Sequence, residues 1–174
     1  MDAPIHIVLV SNYRPDRQYS MLRFADMLEE GLKVSEYGVT RLEPTKVFGG
    51  KGPLSKWRGY VDKYLLFPGK LRKQLKQLAQ AHPDLVVHVT DHANAPYLPA
   101  AKGMPRLINC HDLMAIKSAL GLVPQNPTRL TGRILQRWIF KHLRTAPHLS
   151  CISEKTREDL LTLTGNPPGN TEVI

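Results

Sequence analysis

Cysteine is scarce in this chain, with two thiols, Cys110 and Cys151, among 174 residues. Two thiols cannot build the disulfide framework of a small secreted scaffold, and without a C-x-x-C they form neither a redox motif nor a zinc knuckle. Two separate buried thiols in a reducing cytoplasm are expected. The seven histidines never adopt H-E-x-x-H spacing, so no metal site is expected. Residues 11–20 contain no glycine, which removes the G-x-G-x-x-G fingerprint and argues against a dinucleotide; no cofactor is expected. No G-x-S-x-G elbow is present either, so a hydrolase triad is unsupported. The apolar opening, Ile5 to Val10, is too short to span a bilayer and lacks a basic leader. It reads as a first buried strand.

Acid is missing from one stretch. Between Lys46 and His82 nine basic residues (Lys46, Lys51, Lys56, Arg58, Lys63, Lys70, Arg72, Lys73, Lys76) face one acid, Asp62, in a chain of net charge +9. Such a tract attracts anions, or it is a solvated basic helix face. Within it Trp57, Tyr60, Tyr64 and Phe67 alternate with Lys56, Arg58, Lys63 and Lys70. That interleaving fits an amphipathic surface contacting an anionic membrane through residues 46–76, and it also fits a helix with its aromatic side in the core. No RRM or zinc-finger signature accompanies the charge, which disfavours nucleic acid.

What is present in quantity is alternation of short apolar runs and amphipathic segments. Strands are predicted at 5–10, 38–42, 85–89, 106–110, 149–152 and 171–174. Helical periodicity occupies the intervals, with Met21, Leu22, Ala25, Leu28 and Leu32 on one face of the first helix. Residues 44–59 read as a long loop, and helical patterning from Trp57 to Ala81 is expected to break at Pro68-Gly69. Ser153 is expected to cap a helix that ends before Gly165. The pattern predicts an α/β fold, a Rossmann-like doubly wound parallel sheet, with ligands beyond the carboxyl ends of its strands.

That rule selects the candidate residues. His111 and Asp112 follow the fourth strand directly, and Asp91 and His92 follow the third. A histidine so placed can donate a hydrogen bond to a hydroxyl or face developing charge, or it can merely cap the next helix. After the first strand, the helix start near Tyr19 and Ser20 offers free N–H groups to a phosphate, with Arg14 and Arg17 adding charge.

These residues resemble the N-terminal domain of family 4 retaining glycosyltransferases of the GT-B fold. The resemblance rests on Ile7-Val8-Leu9-Val10-Ser11-Asn12-Tyr13 leading to Ser20-Met21-Leu22-Arg23-Phe24-Ala25, and on His88-Val89-Thr90-Asp91-His92. Ile108-Asn109-Cys110-His111-Asp112-Leu113 and the Ser153-Glu154 to Asp159-Leu160 helix start complete it. It implies one of two domains, the acceptor side of an interdomain cleft, with residues 1–174 as the N-terminal domain and a C-terminal nucleotide-sugar-binding domain outside the chain. It implies that His111 lies beside the transferred sugar, that Asp91, His92 and Asp112 shape the pocket, and that Arg14, Asp16 and Ser20 sit near acceptor or phosphates. The implied partners are a nucleotide-sugar donor and a hydroxyl acceptor. Two departures stand out: Gln18-Tyr19-Ser20 occupies the place of a Gly-Gly pair, and no two glutamates lie eight positions apart. The chain is therefore expected to be a domain that does not transfer sugar alone. The alternative is a basic, non-catalytic binding domain for nucleic acid or an anionic membrane.

Overall fold

The apolar runs pair side by side. In the computed structural model, which describes residues 5–49, 52, 54–165 and 170–174, β1 (His6–Val10), β2 (Gly38–Leu42), β3 (Leu85–Val89), β4 (Arg106–Cys110), β5 (His148–Cys151) and β6 (Asn170–Val173) form one sheet. Its order is β2-β1-β3-β4-β5-β6 and every pairing is parallel. The fold is Rossmann-like α/β, as the alternation predicts.

Helices cover both faces because parallel crossovers are right-handed. The step from β1 to β2 runs toward one edge and puts α1 (Tyr19–Val34) on one face. All later steps run the other way and put their helices on the opposite face. There Val8, Val10, Val87, Val89, Ile108 and Cys110 meet Leu71 and Leu75 of α3 (Phe67–Ala81), Ile139 and Leu143 of α5 (Leu130–Leu143) and Leu160 of α6 (Glu154–Thr164). The main core lies on this side. The strand alternation turns Ile7 and Leu9 the other way, where α1 buries Leu22 and Ala25.

Two sequence expectations need correction. Within the segment read as a loop to residue 59, α2 (Ser55–Tyr60) has already begun. Its Trp57 and Tyr60 rings pack edge to face, 5.7 Å apart, and Tyr60 stands 5.7 Å from Tyr64. Aromatic packing outweighs the poor local helix propensity of a Gly-rich surround. Lys51, part of the basic tract, falls outside the described residues. The helix also does not break at Pro68-Gly69. Helical backbone runs from Ser55 to Ala81, with a π-helical segment, Val61–Leu66, between α2 and α3. The wider turn lets the Phe67 N–H reach the Asp62 carbonyl. Pro68 then falls in the first turn of the new α-helical register, where a missing N–H costs nothing.

Other boundaries follow the expected chemistry. The Ser153 hydroxyl accepts the Thr156 N–H at 3.2 Å, and Gly165 closes α6 with φ 69°, a conformation glycine adopts without a Cβ penalty. Residues His92–Ala101 form a 3-10 helix, with Pro96 and Pro99 inside it. The short α4 (Met114–Ala119) follows β4.

Candidate functional site

The sheet's order reverses direction between β1 and β3, and in open α/β sheets the crevice at that reversal, beyond the strand ends, is where ligands bind. The loops after β1, β3 and β4 meet there through buried side chains. The Asn12 amide donates to Asp91 Oδ2 at 2.6 Å and to Gln18 Oε1 at 2.7 Å, and its carbonyl oxygen accepts from Asn94 at 3.0 Å. Asp91 is 2% exposed and also accepts the Ala93 N–H at 3.0 Å, capping the 3-10 helix. Both of its oxygens are committed, so it fixes loop geometry.

His111 follows β4 directly and is held from three sides. Its Nε2 lies 2.9 Å from the Thr90 carbonyl oxygen, which can only accept, so Nε2 carries the proton. The Phe24 ring of α1 meets it edge to face at 4.7 Å, and the His111 carbonyl accepts from the Thr156 hydroxyl of α6 at 3.2 Å. With Nε2 committed, Nδ1 is the nitrogen left for a ligand. His111 borders a cleft of about 470 Å³ formed with Tyr19, Ser20, Arg23, Phe24 and Met27. The N-terminus of α1 opens into this cleft. No side chain caps it and its first turn carries no acid, so its partial positive charge faces the space beside His111.

Of the seven candidate residues, His111 and Ser20 share this cleft. His92 stands behind it, with its Nδ1 3.3 Å from Asp91 Oδ1. Burial drives the His92 pKa below the ordinary imidazole value, against the opposing pull of Asp91 and Asp112, so the ring is neutral near pH 7. Asp112 is exposed, and its Oδ1 accepts the Met114 N–H at 2.9 Å at the start of α4. Arg14 pairs with Glu43 at 2.5 Å and Asp16 with Lys63 at 2.5 Å, so these two stand at the rim with protein partners of their own.

The rim contains an anchor that sequence reasoning did not single out. Asp62, in the π-helical segment, is 1% exposed and accepts four hydrogen bonds. They come from the Tyr13 hydroxyl at 2.7 Å and from the N–H groups of Val47, Phe48 and Gly49 at 3.1, 2.9 and 2.9 Å. Burial pushes this carboxyl up, but the four donors together hold its pKa below the usual carboxylate value. A Cβ on Gly49 would stand 2.2 Å from the Tyr13 hydroxyl, so only glycine permits this approach. Next to it, Lys63 reaches Asp16 while lying over the Tyr60 ring at 4.9 Å. Asp62 and Lys63 thus tie the loop after β1 to that after β2. The one available signal was that Asp62 is the lone acid in its basic tract. The buried amides Asn12 and Asn94 carried no signal beyond lying after strands.

Comparison with known proteins bears on the family and the fold. Two curated relatives match at 31% identity: N-acetylglucosamine transferases acting on N-acetylmuramyl-(pentapeptide) pyrophosphoryl-undecaprenol, from Geobacter metallireducens (117 residues) and Geobacter sulfurreducens (116 residues). Each match covers 56% of this chain, and the chain spans only 31% of each relative's length. Among solved structures, a UDP-glucosyltransferase from Polygonum tinctorium superposes with TM-score 0.61 at 12% identity, over 98% of this chain and 52% of that one. Glycyrrhiza uralensis UGT73P12 gives 0.52 at 11% identity, over 97% and 48%. These two likenesses concern the fold, which is that of one half of a GT-B glycosyltransferase. The model of Glycosyltransferase Family 4 matches residues 24–174. That span begins inside α1, at Phe24, and holds His111 and the Ser153-capped helix, and the chain belongs to Glycosyltransferase Family 4.

Proposed function

We propose that this chain is the acceptor-side, N-terminal half of a retaining glycosyltransferase that moves a sugar from a nucleotide diphosphate-sugar to a hydroxyl. The observation that carries the reading is His111: its Nε2–H is fixed on the Thr90 carbonyl, its ring is braced by Phe24, and its cleft is shared with the open N-terminus of α1. An imidazole held this way offers Nδ1 to a sugar hydroxyl without reorganisation during reaction. The helix end beside it favours a phosphate oxygen, and Ser20 adds a hydroxyl in the first turn. Catalysis is then chiefly positioning and charge stabilisation, with the leaving phosphate assisting acceptor deprotonation on the same face.

Asp91, His92 and Asp112 position the loops around this pocket, and Arg14 and Asp16 lie at the acceptor entrance. The donor nucleotide is held by a C-terminal domain of the parent, and the chain alone does not turn over. The parent works in the cytoplasm, at an anionic membrane met through residues 46–76. The test is His111→Ala in the full-length parent, assayed with its donor and acceptor. A loss of about a hundredfold in kcat is expected, with a cooperative melting transition retained at a lower temperature because the Thr90 carbonyl loses its donor, together with a product that keeps the donor's anomeric configuration by NMR. Wild-type turnover in the variant removes His111 from the site, and an inverted product removes the retaining mechanism.

A further inference from the structure

The cleft beside His111 has two chemically different ends. At one, His111 is nine-tenths buried, and with its Nε2–H given to the Thr90 carbonyl it presents Nδ1 as an acceptor. At the other, α1 begins with open donors. The Tyr19 N–H is taken by the Arg17 carbonyl at 2.9 Å and the Leu22 N–H by the Gln18 carbonyl at 3.0 Å. The N–H groups of Ser20 and Met21 between them have no partner among the described residues, and both residues line the cleft.

One cation joins these donors. Arg23 lies three positions beyond Ser20, on the face of α1 that lines the cleft with Phe24 and Met27. Helical side chains lean toward the N-terminus, which carries the Arg23 guanidinium back over the first turn. It is exposed and enters no hydrogen bond or ion pair among the described residues. The acid at the right helical spacing, Asp26, is bonded to Arg41 instead. At the rim, by contrast, Arg14 is held by Glu43 and Lys63 by Asp16. No acid is among the described residues that line the cleft, so Arg23 and the helix end act in the same sense.

These donors converge without an acceptor of their own. The Ser20 and Met21 N–H groups, the Ser20 hydroxyl and the guanidinium fork outnumber the two oxygens of a carboxylate and suit the three of a phosphoryl group. A neutral sugar would leave the fork unused.

We propose that Arg23 makes this cleft selective for phosphorylated sugars. The phosphoryl oxygens lie on Arg23 and the Ser20 and Met21 N–H groups, a sugar hydroxyl lies on His111 Nδ1, and Phe24 and Met27 meet the apolar ring face between. The phosphoryl group belongs to the donor's diphosphate or to a phosphorylated acceptor; its chemistry at Arg23 is the same. The proposal rests on the transferase reading above and deepens it by naming the residue that reads substrate charge. Its binding test needs no turnover, so the two can fail separately.

The isotope-labelled chain is titrated with inorganic pyrophosphate, glucose 1-phosphate and glucose at about 150 mM salt, near physiological. Both phosphates should shift the Ser20 and Met21 amide resonances saturably, and glucose 1-phosphate should also shift the His111 Cε1–Hε1 resonance. Glucose alone should move none of them. Arg23→Gln should weaken both phosphates by about tenfold or more, while Arg133→Gln, an exposed cation on α5, should bind as the wild type does. Undiminished binding in Arg23→Gln, an equal loss in Arg133→Gln, or equal shifts with glucose would overturn the proposal. In the full-length parent, Arg23→Gln should raise KM for the donor if the diphosphate is read, or for the acceptor if the acceptor's phosphate is read. Unchanged KM for both would also overturn it.

Discussion

Asp62 is the residue whose removal should be felt most outside the His111 cleft. Its carboxylate is buried and gathers four donors from two separate segments. Asp62→Asn keeps the shape but presents one acceptor oxygen and two N–H groups to those donors. At least one backbone N–H then loses its partner in a buried setting, and the charge-assisted bonds are lost. A destabilisation of about 3 kcal/mol is expected, read as a lower urea midpoint at unchanged m-value. A midpoint within error of the wild type would mean that the 46–49 loop is held by something else. His111 was legible from its place after a strand and from the family resemblance. Asp62 was not, because its importance depends on Tyr13, 49 residues away in sequence, and on N–H groups that no pattern reveals.

At the scale of elements, local periodicity gave strands and helices nearly in place, and it failed where a proline was read as a break. Pro68 does disturb the helix, but the disturbance is absorbed one turn earlier as the π-helical segment, and tertiary packing of Phe67 and Leu71 carries the helix onward. α5 shows the opposite case, a helix that local rules would weaken. Arg133, Arg137 and Lys141 form two like-charged i,i+4 pairs along one face, and each such pair costs roughly 0.2–0.5 kcal/mol. Arg137→Glu turns the two pairs around it from repulsive to attractive. The variant should therefore be more stable, by about 0.8–2 kcal/mol in urea unfolding. If Arg137→Glu were instead clearly destabilising, Arg137 would hold the fold through a contact other than these pairs.

For the whole molecule, alternation of elements identified a parallel sheet, but the order of its strands was beyond reach of pattern. The reversal between β1 and β3 is set by the direction of each crossover, a tertiary choice that leaves no periodic trace. Charge behaved similarly. The 46–82 tract accounted for nearly all the net charge when counted alone, yet α5 carries a second tract that acidic segments elsewhere cancel in the sum.

Folding also places histidines where protonation is costly, at several sites across the sheet. His6 stacks on His82 with ring centroids 3.8 Å apart, and its pKa is lowered by burial first and by the His82 charge second. His88, bonded to Asn109, and His92 are lowered chiefly by burial, and His142 by burial and Lys141. Above the ordinary imidazole value, near pH 6.5, folded and unfolded chains both hold these rings neutral and stability is flat. Below it the unfolded chain takes up protons first, so stability falls until the depressed folded-state values are reached. Each histidine contributes up to about 1.4 kcal/mol per pH unit in that window. The lowered carboxyls of Glu29, Asp62 and Asp159 act only at more acid pH, below the ordinary carboxylate range near 4. The urea midpoint should therefore be constant from pH 8 to 7 and drop steeply between pH 6.5 and 5. His88→Gln, which keeps a donor for Asn109 and cannot titrate, should make that drop shallower. A midpoint unchanged between pH 7 and 5 would show that these rings are as free to take a proton in the fold as in water.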